Sequence, residues 1–162
     1  MNVLKMLGVG LVLVTLVSPC LADKKEDVAR LMKDLKARDI KTRIAAAEEL
    51  GHIGQIKKSF AEPAVPALID ALHDPDGGVR KAAAEALGKV DPDLKLAVPA
   101  LQNALKDKAP PVRIAAAGAL GQIGPDAKDA VPALREMQQD SNRAVSRAAN
   151  MAIRRIMERG KK

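Results

Sequence analysis

Tyrosine and tryptophan are missing from this 162-residue chain, and Phe60 is its only aromatic residue. A core without aromatics must be assembled from Ala, Leu, Ile and Val. Such small side chains let helices approach closely, and the alanine runs at 45–47, 82–84 and 115–117 suit that; no sheet is suggested. The same absence removes the stacking platforms that single-stranded nucleic acid uses, so nucleic acid is not expected as a partner. Cysteine occurs once, at Cys20, which excludes a disulfide within the chain. The only histidines, His52 and His73, stand apart with no cysteine or second histidine at ligand spacing, so no metal site is expected. Ser59, Ser141 and Ser146 have no histidine nearby to act as base. Gly77-Gly78 lacks the Lys-Ser/Thr that completes a phosphate-binding loop. No catalytic residue and no cofactor is expected, and the chain is read as a non-enzyme.

Against these absences stands a recurring pentapeptide, Ala-Val-Pro-Ala-Leu, at 64–68, 97–101 and 130–134, spaced 33 residues both times. A second block follows each copy: VRKAAAEALGKV from Val79, PVRIAAAGALGQI from Pro111 and the looser AVSRAANMAIRRI from Ala144. A fixed period of this size, with two apolar-periodic segments per unit, is how a solenoid is written in sequence. Its units bury their faces only against neighbours. An earlier unit is also visible. Val28, Leu31, Met32 and Leu35 follow the i, i+3, i+4, i+7 pattern of a helix from about Asp27, after a charged lead-in at 23–27, and a second helix is expected from about Lys41 to Ile53. Aligning Leu31 with Leu68 gives an offset of 37, so the first repeat is four residues longer, the excess falling in an expected loop at 54–63. Phe60, in that loop, is expected to plug the gap between the first two repeats, as lone aromatics are usually packing residues.

The expected repeats are 27–54, 64–90, 97–123 and 130–159. Pro66, Pro99 and Pro132 fall where a first-turn proline is tolerated, because the amide it lacks has no helical partner there. Gly88 and Gly121 fall near helix ends, where glycine can close the last turn. VRKAAAEALGKV and PVRIAAAGALGQIGPDAKDAVPAL resemble the short HEAT-like repeats of bacteria, the type also found in phycobilisome lyase subunits. The resemblance covers about Asp27 to Arg159 and implies an all-α fold, an α-solenoid of four helix-pair repeats, whose second helices line a concave side. Tetratricopeptide units would need Trp or Tyr, and ankyrin units Thr-Pro-Leu-His; both are absent.

Consecutive helical residues point about 100° apart, so Glu48, Glu49, Leu50 and Gly51 label four sides of the first repeat's second helix. The Leu50 side continues as Leu87, Leu120 and Ile153, apolar throughout, and is expected in the core. Gly51, Gly88 and Gly121 end in Arg154, and Ala47, Ala84 and Ala117 end in Asn150. A face that is small three times and polar only in the last repeat is expected to pack on the following repeat. The Glu49 side is the mirror case, Ala86, Ala119 and Ala152 with a charge only at the start, so both ends are expected to be capped and the four-repeat array complete. The remaining side points away from the core. With its i±4 neighbours it reads Ile44, Glu48 and His52; Lys81, Glu85 and Lys89; Ile114, Gly118 and Gln122; Arg147, Met151 and Arg155. All of these except Gly118 are the candidate partner-binding residues. Charge at this spacing also fits a solvated face, but Ile44, Ile114 and Met151 are apolar where a purely solvated face would be polar. Arg43, Arg80 and Arg113 recur at the starts of second helices. They are expected to pair across repeats with turn acids such as Asp39, Asp74 and Asp107, the ladder stopping at Ser146.

The net charge of +7 is uneven: residues 143–162 hold seven basic residues against Glu158 alone. Residues 1–22 read as an export signal, with Lys5, an apolar stretch at 6–17 too short to span a bilayer comfortably, and Ala22 before the cleavage point. The mature chain, residues 23–162, would then begin at Asp23, in the periplasm or outside the cell. The rival is a lipoprotein lipidated at Cys20, to which Pro19 is poorly suited. The function read from all this is an exported, monomeric scaffold or adaptor that binds another protein through its concave face. Two alternatives stand beside it: an accessory subunit of a lyase-type enzyme, implied by the resemblance alone, and weak electrostatic attachment of residues 143–162 to an anionic membrane or cell-wall polymer.

Overall fold

A computed structural model describes residues 19–90 and 94–159, with side chains described at 26–57, 59–90 and 96–158. Among the described residues there is helix and turn but no strand. Helix α1 is Pro19–Asp34, α2 Ile40–Ile56 and α3 the short Lys58–Ala61; α4 is Val65–Ala71, α5 Gly77–Lys89 and α6 Leu94–Ala104. They are followed by α7 Pro110–Ile123, α8 Val131–Met137 and α9 Arg143–Arg159. The pairs α1/α2, α4/α5, α6/α7 and α8/α9 are the four repeats, each pair packed on itself and stacked on the next.

Local chemistry sets these boundaries. The second helices α2 and α5 open on aspartates: Asp39 accepts from the Thr42 amide at 2.8 Å, and Asp76 from the amides of Gly78 at 2.8 Å and Val79 at 3.1 Å. α7 opens instead on Pro110 and Pro111 and closes at Gly124, whose φ of 80° favours glycine. The Thr42 amide holds the Asp39 carboxyl below its ordinary range.

Three boundaries differ from the sequence reading. α1 begins at Pro19 and runs through the charged lead-in, because no glycine or further proline interrupts 20–34 and Pro19 sits in the first turn. The expected loop at 54–63 is largely helical: α2 reaches Ile56, and α3 and a 3₁₀ turn at Glu62–Ala64 fill the rest. Pro66 and Pro132 stand in first turns as expected, but Pro99 lies inside α6, which begins five residues before it; the corresponding stretches of the second and fourth repeats are 3₁₀ turns.

The core is a stack of leucines. Leu68, Leu101 and Leu134 from the pentapeptides and Leu50, Leu87 and Leu120 from the second helices are fully buried, while Ile153 is half-buried against them. Between repeats the seam is made of glycine and alanine. A Cβ on Gly51 would lie 3.1 Å from the Ala86 Cα, one on Gly88 2.7 Å from the Ala119 Cα, and one on Gly121 3.1 Å from the Ala152 Cα. These glycines therefore do not close helix ends. They lie within α2, α5 and α7 and let the next second helix approach backbone to backbone. The small-residue face does pack on the successor, its terminal members Asn150 and Arg154 are exposed, and so is Glu49 at the start of the mirror face.

At the loop edge the seam is closed by ion pairs. Arg43, Arg80 and Arg113 reach the next repeat's turn acid, Asp74, Asp107 and Asp140, at 2.8, 2.7 and 2.9 Å. Each also donates to its own repeat's turn carbonyls, at Ala37, Asp74 and Asp107. Arg80 alone aligns both Nε and Nη2 on its carboxylate, at 2.7 and 2.9 Å; Arg43 and Arg113 make their directed bond through Nη2, with Nε near the second oxygen but off its axis. Arg80 is buried, and its hydrogen bonds hold the Asp107 carboxyl below its ordinary range while Asp107 raises the guanidinium. The Asn142 amide and then Arg113 do the same to Asp140. Asp39 is not part of this ladder, being spent as a helix cap, and in the fourth repeat the Ser146 hydroxyl donates to the Gln138 carbonyl instead.

Candidate functional site

The second helices α2, α5, α7 and α9 pack on one another along their length, whereas successive first helices scarcely touch. A stack held closely on one side and loosely on the other bends toward the close side, so the second helices line the inner face.

The inner face carries three rows of candidate residues, at 33-residue spacing after the longer first repeat: Ile44, Lys81, Ile114 and Arg147; Glu48, Glu85, Gly118 and Met151; His52, Lys89, Gln122 and Arg155. Glu48, His52, Lys81, Gln122, Arg147, Met151 and Arg155 are exposed, and Glu85 and Lys89 half-exposed. Ile44 and Ile114 are not the exposed apolar groups expected. Both pack against the core, Ile44 by leaning onto the next repeat, where its Cδ1 would meet a Cβ on Gly78 at 3.1 Å. Met151, 56% exposed, is the apolar residue left open on this face.

Two arrangements on it fix side chains in place. Lys81 pairs with Glu85 at 3.4 Å, one turn apart on an exposed helix surface, where such a pair contributes little. In the third row the side chains lie across the preceding repeat's glycine: the Cδ of Lys89 and of Arg155 would touch a Cβ on Gly51 and on Gly121 at 3.3 and 3.4 Å, and the Gln122 Oε1 one on Gly88 at 3.0 Å. The glycines thus serve the seam and also seat these side chains.

The candidates also meet around one recess of about 270 Å³, where Glu85 and Lys89 of α5 face Ile114, Gly118 and Gln122 of α7, with Ala115 and Ala119 as floor. A Cβ on Gly118 would meet nothing within 4 Å, so the recess exists because this row has no side chain there. Ile44, Glu48 and His52 at one end and Arg147, Met151 and Arg155 at the other lie outside it. Two of the recesses away from this face are larger. One, of about 310 Å³, is lined by Val28, Met32, Phe60 and Pro63; Phe60 thus sits against α1, half-buried, with the Lys57 ammonium 4.7 Å from its ring centre. The other, of about 450 Å³, lies between the second and third turns, where Asp74, Arg80 and Asp107 are already committed to the ladder. Among the described residues no three of His, Cys, Asp and Glu stand together as metal ligands, and no helix is long and apolar enough to cross a membrane.

The family model of HEAT repeats matches residues 28–97 and again 91–154, most of the chain. The chain belongs to the HEAT repeat family. Among curated proteins, no sequence matches this HEAT repeat chain. Solved structures do. An engineered protein is 28% identical with a TM-score of 0.67 over 80% of this chain and 62% of its own. Human deoxyhypusine hydroxylase in complex with glycerol is 29% identical, TM-score 0.64, over 81% of this chain but 43% of the hydroxylase. The complex of CpcE and CpcF of phycocyanin lyase from Nostoc sp. PCC7120 is 24% identical, TM-score 0.56, over 81% of this chain and 65% of that one, a likeness of fold alone. The HEAT chain thus spans about three fifths of the engineered protein and under half of the hydroxylase. Its fold is that of a family whose members commonly act as protein-interaction scaffolds.

Proposed function

We propose that this chain is an exported, non-catalytic scaffold that binds another protein through the inner face of its solenoid. The observation that carries the reading is a contrast within the same four helices. Positions at the seam recur as Gly, Ala and the Arg–Asp ladder, whereas positions on the inner face vary along the array and leave charged groups and Met151 in solvent. Surface that is not needed for stacking and is held rigidly by the stack is what a solenoid offers a partner. The groups whose protonation is shifted, Asp39, Arg80, Asp107 and Asp140, are each engaged in a cap or an ion pair, which fits a structural and not a catalytic use. Exposed charge or amide at Glu49, Asn150 and Arg154 on the two end faces favours a monomer. Export rests on the pattern of residues 1–22. Cleavage after Ala22 would shorten α1 by four residues and leave its buried Val28, Leu31 and Leu35 in place.

The test is cross-linking and capture from the exported fraction with the mature chain and its Lys81→Glu/Arg147→Glu variant. The expected outcome is a partner retained by the parent and lost by the variant at an unchanged melting temperature. A partner held equally by both overturns the inner-face reading. N-terminal sequencing of the protein exported from the full-length chain should read from Asp23; a blocked, lipidated Cys20 would place the protein on a membrane surface. Attachment through residues 143–162 alone would vanish at high salt without regard to Lys81.

A further inference from the structure

We propose that the inner face takes an extended acidic peptide segment crossing α5, α7 and α9, with one apolar side chain seated over Gly118 and carboxylates at Lys89 and Arg155. This rests on the reading of the inner face as the binding surface and adds the chemistry of the partner.

Three observations meet here. The first is charge. Of the acidic residues in the three rows, Glu85 pairs with Lys81, and Glu48 stands on the first repeat; α7 and α9 contribute none. Among the described residues no carboxylate pairs with Lys89, Arg147 or Arg155. The inner face from α5 onward is therefore cationic, and it matches a segment of the opposite sign. The second is preorganisation. The stems of Lys89 and Arg155 lie across Gly51 and Gly121, so these two long side chains have less freedom to lose on binding than ordinary surface lysine or arginine. The third is shape. The recess at Gly118 opens between α5 and α7, lined by Ile114, Ala115 and Ala119 and by the polar side chains of Lys89, Gln122 and the Lys81-paired Glu85, a seat for one aliphatic side chain.

The spacing is that of an extended polyproline-II segment. Packed helices lie about 8–10 Å apart, and such a segment advances about 3.1 Å per residue with three residues per turn, so two helix spacings correspond to about six residues. A carboxylate at each end of such a span and an apolar residue midway, at i, i+3 and i+6, therefore stand on one side of the segment and meet all three places at once.

The probe is a fluorescent nine-residue peptide, Asp-Asp-Ser-Ser-Leu-Ser-Ser-Asp-Asp, compared by anisotropy with the peptide carrying Lys for Asp and with one carrying Gly for the central Leu. The acidic peptide should bind about tenfold or more tighter than the basic one, and weaken as salt rises. Lys89→Gln with Arg155→Gln, which keeps long side chains over the glycines, should lose about tenfold at an unchanged melting temperature. Gly118→Leu should weaken the leucine peptide and leave the glycine peptide as it was. Equal binding of acidic and basic peptides, or indifference to the double glutamine variant, overturns the proposal; so does binding to phosphatidylserine vesicles with none to the peptide. Capture of a partner that depends on Lys81 and Arg147, with no acidic-peptide binding, would fail this inference alone. Capture that ignores the inner face would fail the reading beneath it.

Discussion

Gly88 and Gly118 are both glycines inside second helices, yet they occupy opposite situations. A Cβ at the first would strike the Ala119 backbone at 2.7 Å, and a Cβ at the second would enter open space. The first belongs to the seam, where Gly51 and Gly121 repeat it because each stacking step needs the same close approach. The second has Glu48, Glu85 and Met151 as its counterparts. Recurrence along the array marks what holds the stack together, and variation along it marks what the stack presents.

The hardest way to break that contrast is through the core on which both depend. Leu87→Ala empties a fully buried site and should cost about 2–5 kcal/mol, read as a lower midpoint in urea denaturation. The seam itself is next. Gly88→Ala should destabilise by about 1–3 kcal/mol through overpacking, even though alanine favours helix more than glycine does. Gly118→Ala meets nothing and should instead stabilise by about 0.5–1 kcal/mol. Equal signs for the two would erase the distinction between seam and face.

Acid titration probes the ladder. The Asp107 carboxyl is held low by Arg80, so its contribution is present above the unfolded carboxylate value of about 3.9 and is lost as pH falls below it through the lower folded value. The melting temperature should fall on acidification in that window, and less steeply in Asp107→Asn. The smallest effect on folding is expected at the end face. Asn150→Ala with Arg154→Ala, both on the exposed face of α9 and both keeping good helix formers, should leave the unfolding midpoint almost unmoved but increase self-association with concentration in sedimentation, because a bare small-residue face then meets a second copy.

The seam was legible in the sequence because a single physical requirement is written there three times, and the terminal exceptions Glu49, Asn150 and Arg154 told which way each face looked. The Arg–Asp ladder was legible as pairing and in two of its acids, Asp74 and Asp107, but Asp39 caps its own helix and the last place falls to Asp140. What the sequence hid depended on tilt between repeats. A helical wheel puts Ile44 and Ile114 outward; the neighbouring repeat covers them in part. The wheel also places Gly88 and Gly121 near helix ends without saying that the next backbone comes within contact. Gly118 stood beside the candidates as one residue among twelve, and only the placement of α5 beside α7 makes it the gap that opens a recess.

The ladder has a consequence for how such a chain can change length. Every arginine is tied backward to its own turn and forward to the next repeat's acid, so excising residues 91–123 would bring Arg80 opposite Asp140 and Gly88 opposite Ala152, each meeting the chemical equivalent of what it lost. The shortened gene product would keep a closed seam and lose the Gly118 recess. Duplication of the same unit would add a second recess. Repeat number and binding specificity can thus be altered by one recombination event, with the stacking contacts conserved at the join.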